Sequence, residues 1–291
     1  MSEAILLENA AGDAAAVTPF GAELAAWRAR GVDLIWAKDD RIWDQTAPIL
    51  FPVVGWTRDG AVRVKGRSYP LALHGFAWRK SFRVTERRAD SLRLELAADH
   101  ETRALYPFDF RLEASFALLP GGLETALVVE NTGDEPLPYA CGLHPAFRWP
   151  LAGSSAPHSI VFAEPENPDV PVIGPGGLLS KPTRRLPLKR DVLPLAPDMF
   201  ASDALVFLNR RSRKLAFDNG AGARLVVETE DFPHIGFWTR PPASYLCIEP
   251  WTGHGDPDDF FGDLYEKPSM RLLAPGQSAR HAATFRFEPA E

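Results

Sequence analysis

The chain has 291 residues, of which 45% are hydrophobic and 24% are charged, and its formal net charge at pH 7 is −6. Such a chain can bury a sizeable core, and its excess of acidic residues argues against the basic surface with which proteins bind nucleic acid. No apolar run approaches the roughly 18 residues of a membrane-spanning helix, so we expect neither nucleic acid nor a membrane as a partner.

The N-terminal region and the cysteines predict a cytoplasmic protein. Residues 1–17 contain three acidic side chains and lack the basic start of a signal peptide. The two cysteines, Cys141 and Cys247, lie far apart in apolar runs, a setting typical of buried free thiols rather than of a disulfide framework.

Short β-strands are predicted along most of the chain. Residues 19–36 are rich in alanine, but Gly21 and Gly31 interrupt the run, and we predict two strands and a turn there. Farther along, apolar and polar residues alternate in short runs between turn residues, a pattern that indicates an all-β sandwich or barrel. These runs are residues 91–99, 110–119, 122–132, 214–219 and 223–230.

The most proline-rich segment, residues 163–200, is the one candidate for a linker between domains. It also carries regularly placed valine, isoleucine and leucine residues. We therefore interpret it as a long irregular excursion over one large sheet, since loops of this length often serve function. A single domain over residues 1–291 follows.

Three clusters combine a titratable side chain with aromatic residues. "YPLALHGFAW" contains His74 before a glycine, "YACGLHPAFRWP" contains His144 before Pro145, and "CIEPWTG" places Glu249 directly after an apolar run. Glycine and proline interrupt strands, so we expect these polar groups at strand ends. Strand ends of a β-sandwich can converge on one open face, where the three groups would meet.

Taken singly, these residues also have ordinary interpretations. A lone histidine in an apolar context is more often a core residue than a catalyst, and Glu249 could pair with one of the 32 basic residues. An ionised, unpaired carboxylate would lose several kcal/mol of hydration on burial. Two histidines and a glutamate can also bind zinc, but no two of them have the close spacing of HExxH, so we predict no metal site.

Taken together, the clusters resemble the aldose 1-epimerase (mutarotase) family, and within it the LacX-like branch of bacterial proteins. The resemblance rests on the order, spacing and flanks of the motifs and covers nearly the whole chain. The segments that carry it are residues 21–55, "YPLALHGFA" at 69–77, "YPFDFRLEASFAL" at 106–118, "GLHPAFRWPL" at 142–151, "SDALVFLN" at 202–209, "CIEPWTGHGDP" at 247–257 and "LAPGQS" at 273–278.

The resemblance implies a fold and an activity. The fold would be a large antiparallel β supersandwich with a concave sugar site, which agrees with the strand pattern. The activity would be interconversion of the α and β anomers of a free aldose such as galactose or glucose, without a cofactor. The partner would be a small-molecule sugar, and the expected assembly is a monomer or a weak homodimer.

The same resemblance implies roles for single residues. Glu249 would be the base at the sugar O1, His144 the acid at the ring oxygen, and His74 a hydrogen-bonding partner of the substrate. Asp203 would bind a sugar hydroxyl. The aromatic residues expected to stack on the sugar are Phe76, Trp78, Phe147 and Trp251.

The chain departs from the family pattern at two positions. Where LacX-like proteins carry arginines, it has Trp56 and Trp78, which implies a more apolar sugar pocket. Arg58 and Arg79 lie nearby, and we expect Arg79 to contact substrate. Two alternatives stay open: an epimerase for a phosphorylated or sulfonated sugar, which would need clustered arginines, and a non-catalytic carbohydrate-binding protein on the same fold.

Overall fold

The computed structural model describes residues 3–291, and within them nearly all regular structure is β-sheet. The only α-helix of this range, α1, spans His100–Leu105, and it begins at a capping box in which Asp99 and Thr102 bond each other's backbone N–H. No helix in these residues is long and apolar enough to span a membrane. Short 3-10 turns occupy Arg58–Gly60, Ala77–Arg79, Leu151–Gly153, Pro175–Gly177, Pro197–Phe200 and Leu264–Glu266.

The strands are numbered in chain order. The first thirteen are β1 Ile5–Glu8, β2 Ala14–Thr18, β3 Glu23–Ala29, β4 Val32–Asp33, β5 Ile49–Leu50, β6 Ala61–Val64, β7 Arg67–Pro70, β8 Arg83–Arg87, β9 Ser91–Ala97, β10 Phe110–Leu119, β11 Gly122–Asn131, β12 Leu137–Tyr139 and β13 Gly142–Leu143. The others are β14 Ala146–Arg148, β15 Ser159–Phe162, β16 Asp169–Ile173, β17 Leu179–Arg185, β18 Val192–Pro194, β19 Leu205–Phe207, β20 Lys214–Asp218, β21 Arg224–Glu230, β22 His234–Trp238, β23 Tyr245–Trp251, β24 Arg271–Leu273 and β25 Ser278–Glu288.

Two large sheets and several small ones make up the fold, and the ladders between these strands are antiparallel. The larger sheet has the order β18-β15-β20-β21-β25-β11-β10-β9-β8, and the second has the order β19-β22-β23-β13-β5 with β14 also paired to β23. The prediction of an all-β antiparallel fold is confirmed. Each of the five alternating runs is a strand, and residues 19–36 contain β3 and β4.

The core lies on the inner face of the nine-stranded sheet. Along β10, alternate residues from Phe110 to Leu118 are buried while those between them are not, as a half-buried strand requires. Each such large apolar side chain stabilises the fold by about 1.5–3 kcal/mol. Leu246 and Ile248 of β23 belong to the same core, so this face of the second sheet packs against the first.

The expectation of an irregular excursion at residues 163–200 was wrong in part. β16 and β17 form a two-stranded hairpin with a register shift between Pro171 and Val172, and β18 joins the edge of the nine-stranded sheet. Proline is compatible with this arrangement because both strands of an isolated hairpin are edges, on which an N–H that faces away from the partner strand belongs to no ladder.

Candidate active site

Strand register brings the two predicted catalytic side chains together. Gly142 of β13 lies opposite Trp251 of β23, and Ala146 of β14 lies opposite Cys247. His144 is midway between these pairs, so the same antiparallel register places it opposite Glu249. Directly opposed side chains on one face of a sheet are neighbours. His144 Nε2 accordingly lies 3.1 Å from Glu249 Oε2.

The backbone around this pair differs from the sequence prediction in one respect. His144 lies in the break between β13 and β14, as expected, but Glu249 lies inside β23, which continues to Trp251. Ile248 donates its N–H to Pro145 O. Alternate residues of a strand point their backbone nitrogens to the same side, so the nitrogen of Pro250 also points toward the break between β13 and β14. No regular ladder bond is expected there, and the N–H that proline lacks is therefore not needed.

His74 is held in a defined orientation beside the pair. It lies in a tight turn in which His74 and Gly75 both have positive φ, and a Cβ at Gly75 would come within 2.3 Å of Phe51 O. The Gly55 N–H donates to His74 Nδ1 at 3.1 Å, which leaves Nε2 as the protonated nitrogen of the neutral ring. The His74 and His144 ring centroids are 5.4 Å apart.

Burial shifts the proton affinities of these groups in opposite directions. Glu249 is 2% exposed and His144 is 6% exposed. Burial, and then the nearby charge of Asp203, raises the pKa of Glu249 well above its usual value. Burial lowers the pKa of His144 well below its usual value, and that of His74 to about 3. A desolvated site thus disfavours both a bare carboxylate and an imidazolium.

These groups open into a cavity of about 960 Å³ with a strongly aromatic lining. Trp43 and Trp238 flank His144, with ring centroids 5.2 and 5.8 Å from its ring. The lining includes five of the chain's eight tryptophans: Trp43, Trp56, Trp78, Trp238 and Trp251. Flat apolar rings beside a few polar groups are typical of small-ligand sites.

Two glycines make room for the indole of Trp251 near Glu249. Gly236 of β22 is opposite Glu249, and a Cβ there would come within 2.5 Å of Trp251 Cη2. On the other side, a Cβ at Gly142 would come within 2.6 Å of Trp251 Cδ1. Neither glycine has a positive φ, so what each provides is space for the indole.

We expect Gly236→Ala to displace Trp251 from the cavity floor. Overpacking of this kind costs about 1–3 kcal/mol, so the free energy of unfolding should fall by that amount. KM for the aldose that the family resemblance implies should rise. Urea unfolding and substrate kinetics would measure the two effects. Gly133→Ala is the matched control, because its nearest contact would be an ordinary 3.4 Å from Asp109 Cβ. Equal stability and KM in both variants would contradict the account.

Most of the predicted substrate contacts line the cavity, but two do not. The lining residues include the predicted catalytic residues His144 and Glu249 and five of the predicted substrate contacts: His74, Trp78, Arg79, Asp203 and Trp251. Phe76 instead packs in the core against other aromatic rings, and Phe147 is likewise buried in the core, so stacking of either on a sugar does not fit the structure. The neighbours of Phe76 are Phe51, Tyr106 and Phe110.

Of the two arginines near Trp56 and Trp78, only Arg79 lines the cavity. Arg79 lines the cavity and lies over the Trp78 ring at 4.0 Å. Arg58 donates to backbone oxygens of Phe260 and Asp258 and is not a lining residue. Arg240 is a further lining residue, which no sequence motif identifies, and its guanidinium donates to Ile42 O.

Trp43 and Trp238 were also missed. Trp43 lies in a loop without periodicity, and no local pattern identifies it. Trp238 could have been found from strand pairing, because β22 places it opposite Cys247, two residues before Glu249 on the same face of β23.

A possible metal-ligand set was not foreseen either. Ligand atoms of His144, Cys247 and Glu249 lie within 4.8 Å of one another. Cys247 and Glu249 are two residues apart on a strand, a spacing outside the motifs considered for zinc. The absence of a metal site remains a prediction. Both cysteines are buried free thiols.

Comparison with known proteins identifies the family. The model of the family described as "Aldose 1-epimerase" matches residues 3–286. The chain belongs to the aldose 1-epimerase family. Among curated proteins it is 28% identical over 257 residues to the plasmid-encoded protein LacX of Lactococcus lactis subsp. lactis, which covers 84% of this chain and 86% of LacX.

Solved structures of similar proteins agree with this membership. A galactose mutarotase related enzyme from Lactobacillus acidophilus superposes with a TM-score of 0.90 at 28% identity, over 99% of this chain and 98% of that one. A galactose mutarotase-like protein from Lactobacillus casei has a TM-score of 0.90 at 25% identity, over 98% and 100%. The predicted family resemblance and supersandwich fold are confirmed.

Proposed function

We propose that this member of the aldose 1-epimerase family is a mutarotase that interconverts the α and β anomers of a free aldose such as galactose or glucose. The observation that carries the proposal is the 3.1 Å contact between His144 Nε2 and Glu249 Oε2, both buried and both lining a cavity with space for a sugar. An acid and a base in contact can exchange a proton without solvent.

The reaction needs only proton transfer. Burial holds the single proton of the pair on Glu249, so this proton first passes to His144 across their 3.1 Å contact. Glu249 then takes the proton of the C1 hydroxyl while His144 delivers its own to the ring oxygen, so the C1–O5 bond breaks and an aldehyde forms. Rotation about C1–C2 presents the other carbonyl face, O5 attacks it, and the two protons return along the same paths. Each placed proton-transfer group contributes typically about 10²–10⁴-fold. The scheme needs neither a cofactor nor a metal, and His74 Nε2–H is free to donate to the sugar.

The catalytic pair should be active over a wide pH range. The competent form holds one proton, because the unprotonated pair is a buried anion and the doubly protonated pair a buried cation. In water this form would persist between about pH 4.3 and 6.5, the usual pKa values of the two groups. Burial raises the pKa of Glu249 and lowers that of His144, so it disfavours both charged forms and widens the window at each end.

We therefore expect kcat to be constant around pH 7. It should fall only below pH 4.3 on the acid side and only above pH 6.5 on the basic side, the usual pKa values of about 4.3 and 6.5 being the limits in water. Burial lowers the pKa of His74 to about 3, so titration of this residue should not change kcat between the two ends of this pH range. The measurement is kcat for one aldose against pH, corrected for the spontaneous rate. A fall of activity centred on pH 6.5, as an exposed imidazole would give, contradicts the shared-proton account.

The charges of the cavity favour a neutral sugar. Its acidic lining residues, Asp44, Asp198, Asp203 and Glu249, outnumber its two basic ones, Arg79 and Arg240. Each of these arginines is already engaged, with an indole ring or a backbone oxygen. A phosphorylated or sulfonated substrate would call for arginines that cluster on the anion.

The test is the rate of approach to anomeric equilibrium by polarimetry. Freshly dissolved galactose, glucose and related neutral aldoses would be compared with the corresponding 6-phosphates, with and without protein. We expect acceleration for neutral aldoses and at least about tenfold lower kcat/KM for the phosphates, since an uncompensated anion costs more than 1.4 kcal/mol in such a site. Preference for the phosphates, or no acceleration, would overturn the proposal.

A further inference from the structure

A third side chain lies beside the catalytic pair and takes no part in the proposed reaction. Cys247 precedes Glu249 by two residues on β23, so the two side chains share one face of that strand. Ala146 of β14 and Trp238 of β22 lie opposite Cys247, and its thiol is buried. The sulfur lies within 4.8 Å of ligand atoms of both His144 and Glu249, and no other three such groups within residues 3–291 lie so close together.

The spacing of these donors suits a tetrahedral zinc ion. Zinc lies about 2.0–2.1 Å from an imidazole nitrogen, about 2.0–2.2 Å from a carboxylate oxygen and about 2.3 Å from a thiolate sulfur. Tetrahedral angles then place nitrogen and oxygen about 3.3 Å apart, and either of them about 3.6 Å from sulfur. The distance from His144 Nε2 to Glu249 Oε2 is 3.1 Å. The 4.8 Å limit means that the Cys247 sulfur is at most about 1.2 Å too far from either atom.

The charges of the three groups also match a divalent cation. A metal binds thiolate and carboxylate, so it must displace the thiol proton of Cys247 and the single proton of the His144–Glu249 pair. Two protons leave and two positive charges arrive, so the buried site stays neutral. Thiolate and imidazole donors suit zinc, whereas magnesium and calcium prefer oxygen. The set therefore favours a thiophilic cation.

We infer that Zn²⁺ taken up from solution binds His144, Cys247 and Glu249 and inhibits the protein. The binding depends only on the placement of these three side chains, whereas the inhibition rests on the proposed mutarotase function. A bound zinc ion holds the base and the acid in coordination bonds, so neither can move a proton. The ion enters through the cavity, because His144 and Glu249 are lining residues.

The inferred ion is an inhibitor and not a resident cofactor, so the prediction that the protein carries no metal of its own stays in place. Two protons compete with the ion. His74 cannot add a ligand, because its Nδ1 accepts the Gly55 N–H and its Nε2 carries the proton. His144 Nδ1 has no hydrogen-bond partner within residues 3–291, whereas metal-binding histidines almost always donate from their second nitrogen. We therefore expect Zn²⁺ to bind reversibly and EDTA to remove it.

The rate of anomer exchange with and without Zn²⁺ tests the inhibition, on protein freed of any histidine tag. Saturating Zn²⁺ should slow the parent by at least about a hundredfold, because both proton-transfer groups are held, and Mg²⁺ should have no effect. Each variant is compared with itself. Cys247→Ala and Cys247→Ser should raise the inhibition constant at least about a hundredfold, since loss of even an outer hydrogen bond costs about 10–100-fold in metal affinity.

Cys141→Ala is the matched control for these variants. Cys141 is the other buried free thiol of the chain, and it lies outside the set of three ligands. This variant should be inhibited by Zn²⁺ as strongly as the parent, and far-UV circular dichroism would show that all the variants are folded. No inhibition of the parent, or an unchanged inhibition constant in both Cys247 variants, would overturn the inference.

A binding readout separates this inference from the mutarotase proposal. Cd²⁺ bound to a thiolate gives a charge-transfer band in the ultraviolet, which needs no turnover. We expect the band in the parent and in Cys141→Ala, but not in Cys247→Ala or Cys247→Ser. That result supports the site even if no sugar is turned over. No band in the parent, or a band that survives both Cys247 substitutions, overturns the inference even if glucose is a substrate.

Discussion

Glu249→Gln should lower kcat for anomer exchange by about 10²–10⁴-fold while the sugar still binds. Glutamine keeps the size of the side chain and its contact with His144 but cannot take the proton of the C1 hydroxyl. Removal of an interaction that is made only in the transition state lowers kcat and leaves KM unchanged. Polarimetry would give kcat and KM, and fluorescence titration would give the affinity.

The control for this variant is Glu228→Gln, which removes a carboxylate from an exposed strand position paired with Lys214. It should leave all three quantities unchanged. If the protein only bound sugars, Glu249→Gln would have no turnover to lose. Retained kcat in Glu249→Gln would contradict the assignment of Glu249 as the base.

His144→Asn should cost about as much as Glu249→Gln, and the double variant should be little worse than either one. The two side chains are in contact, and the proposed mechanism has them act in one concerted exchange. Groups that act as a unit have strongly non-additive effects. Two independent groups of this kind would instead multiply to about 10⁴–10⁸-fold.

This double-mutant cycle is measured on kcat for the best aldose, with far-UV circular dichroism to show that each variant is folded. We expect the double variant to lie within about threefold of the slower single variant, a margin of less than 1 kcal/mol. Multiplicative losses would show that His144 and Glu249 do not share a proton path.

Much of the fold follows from local sequence pattern. β10 and β11 begin at the residues where the alternation of apolar and polar side chains begins, because each needs one buried face. β16 and β17 were not predicted, because Pro171 and Pro182 argue against strands. The two strands form a separate hairpin in which both are edge strands, and proline is tolerated on edge strands.

Site residues that belong to a sequence motif could be predicted. Contacts that depend on how distant strands pair could not. His144, His74 and Glu249 were identified from their motifs, but their contact depends on register between segments about 100 residues apart. Trp43 carries no pattern of its own. Phe76 shares the first histidine motif, yet the left-handed turn at His74 and Gly75 sends it into the core.

The central claim is that the His144–Glu249 pair opens the sugar ring, and exchange spectroscopy at chemical equilibrium tests it most directly. Proton NMR would measure the exchange rate between the α and β anomeric signals of an equilibrated aldose with the parent protein and with the double variant. The account predicts exchange in proportion to parent concentration and only the spontaneous rate with the double variant. Equal exchange with both proteins, or none with the parent, would contradict it.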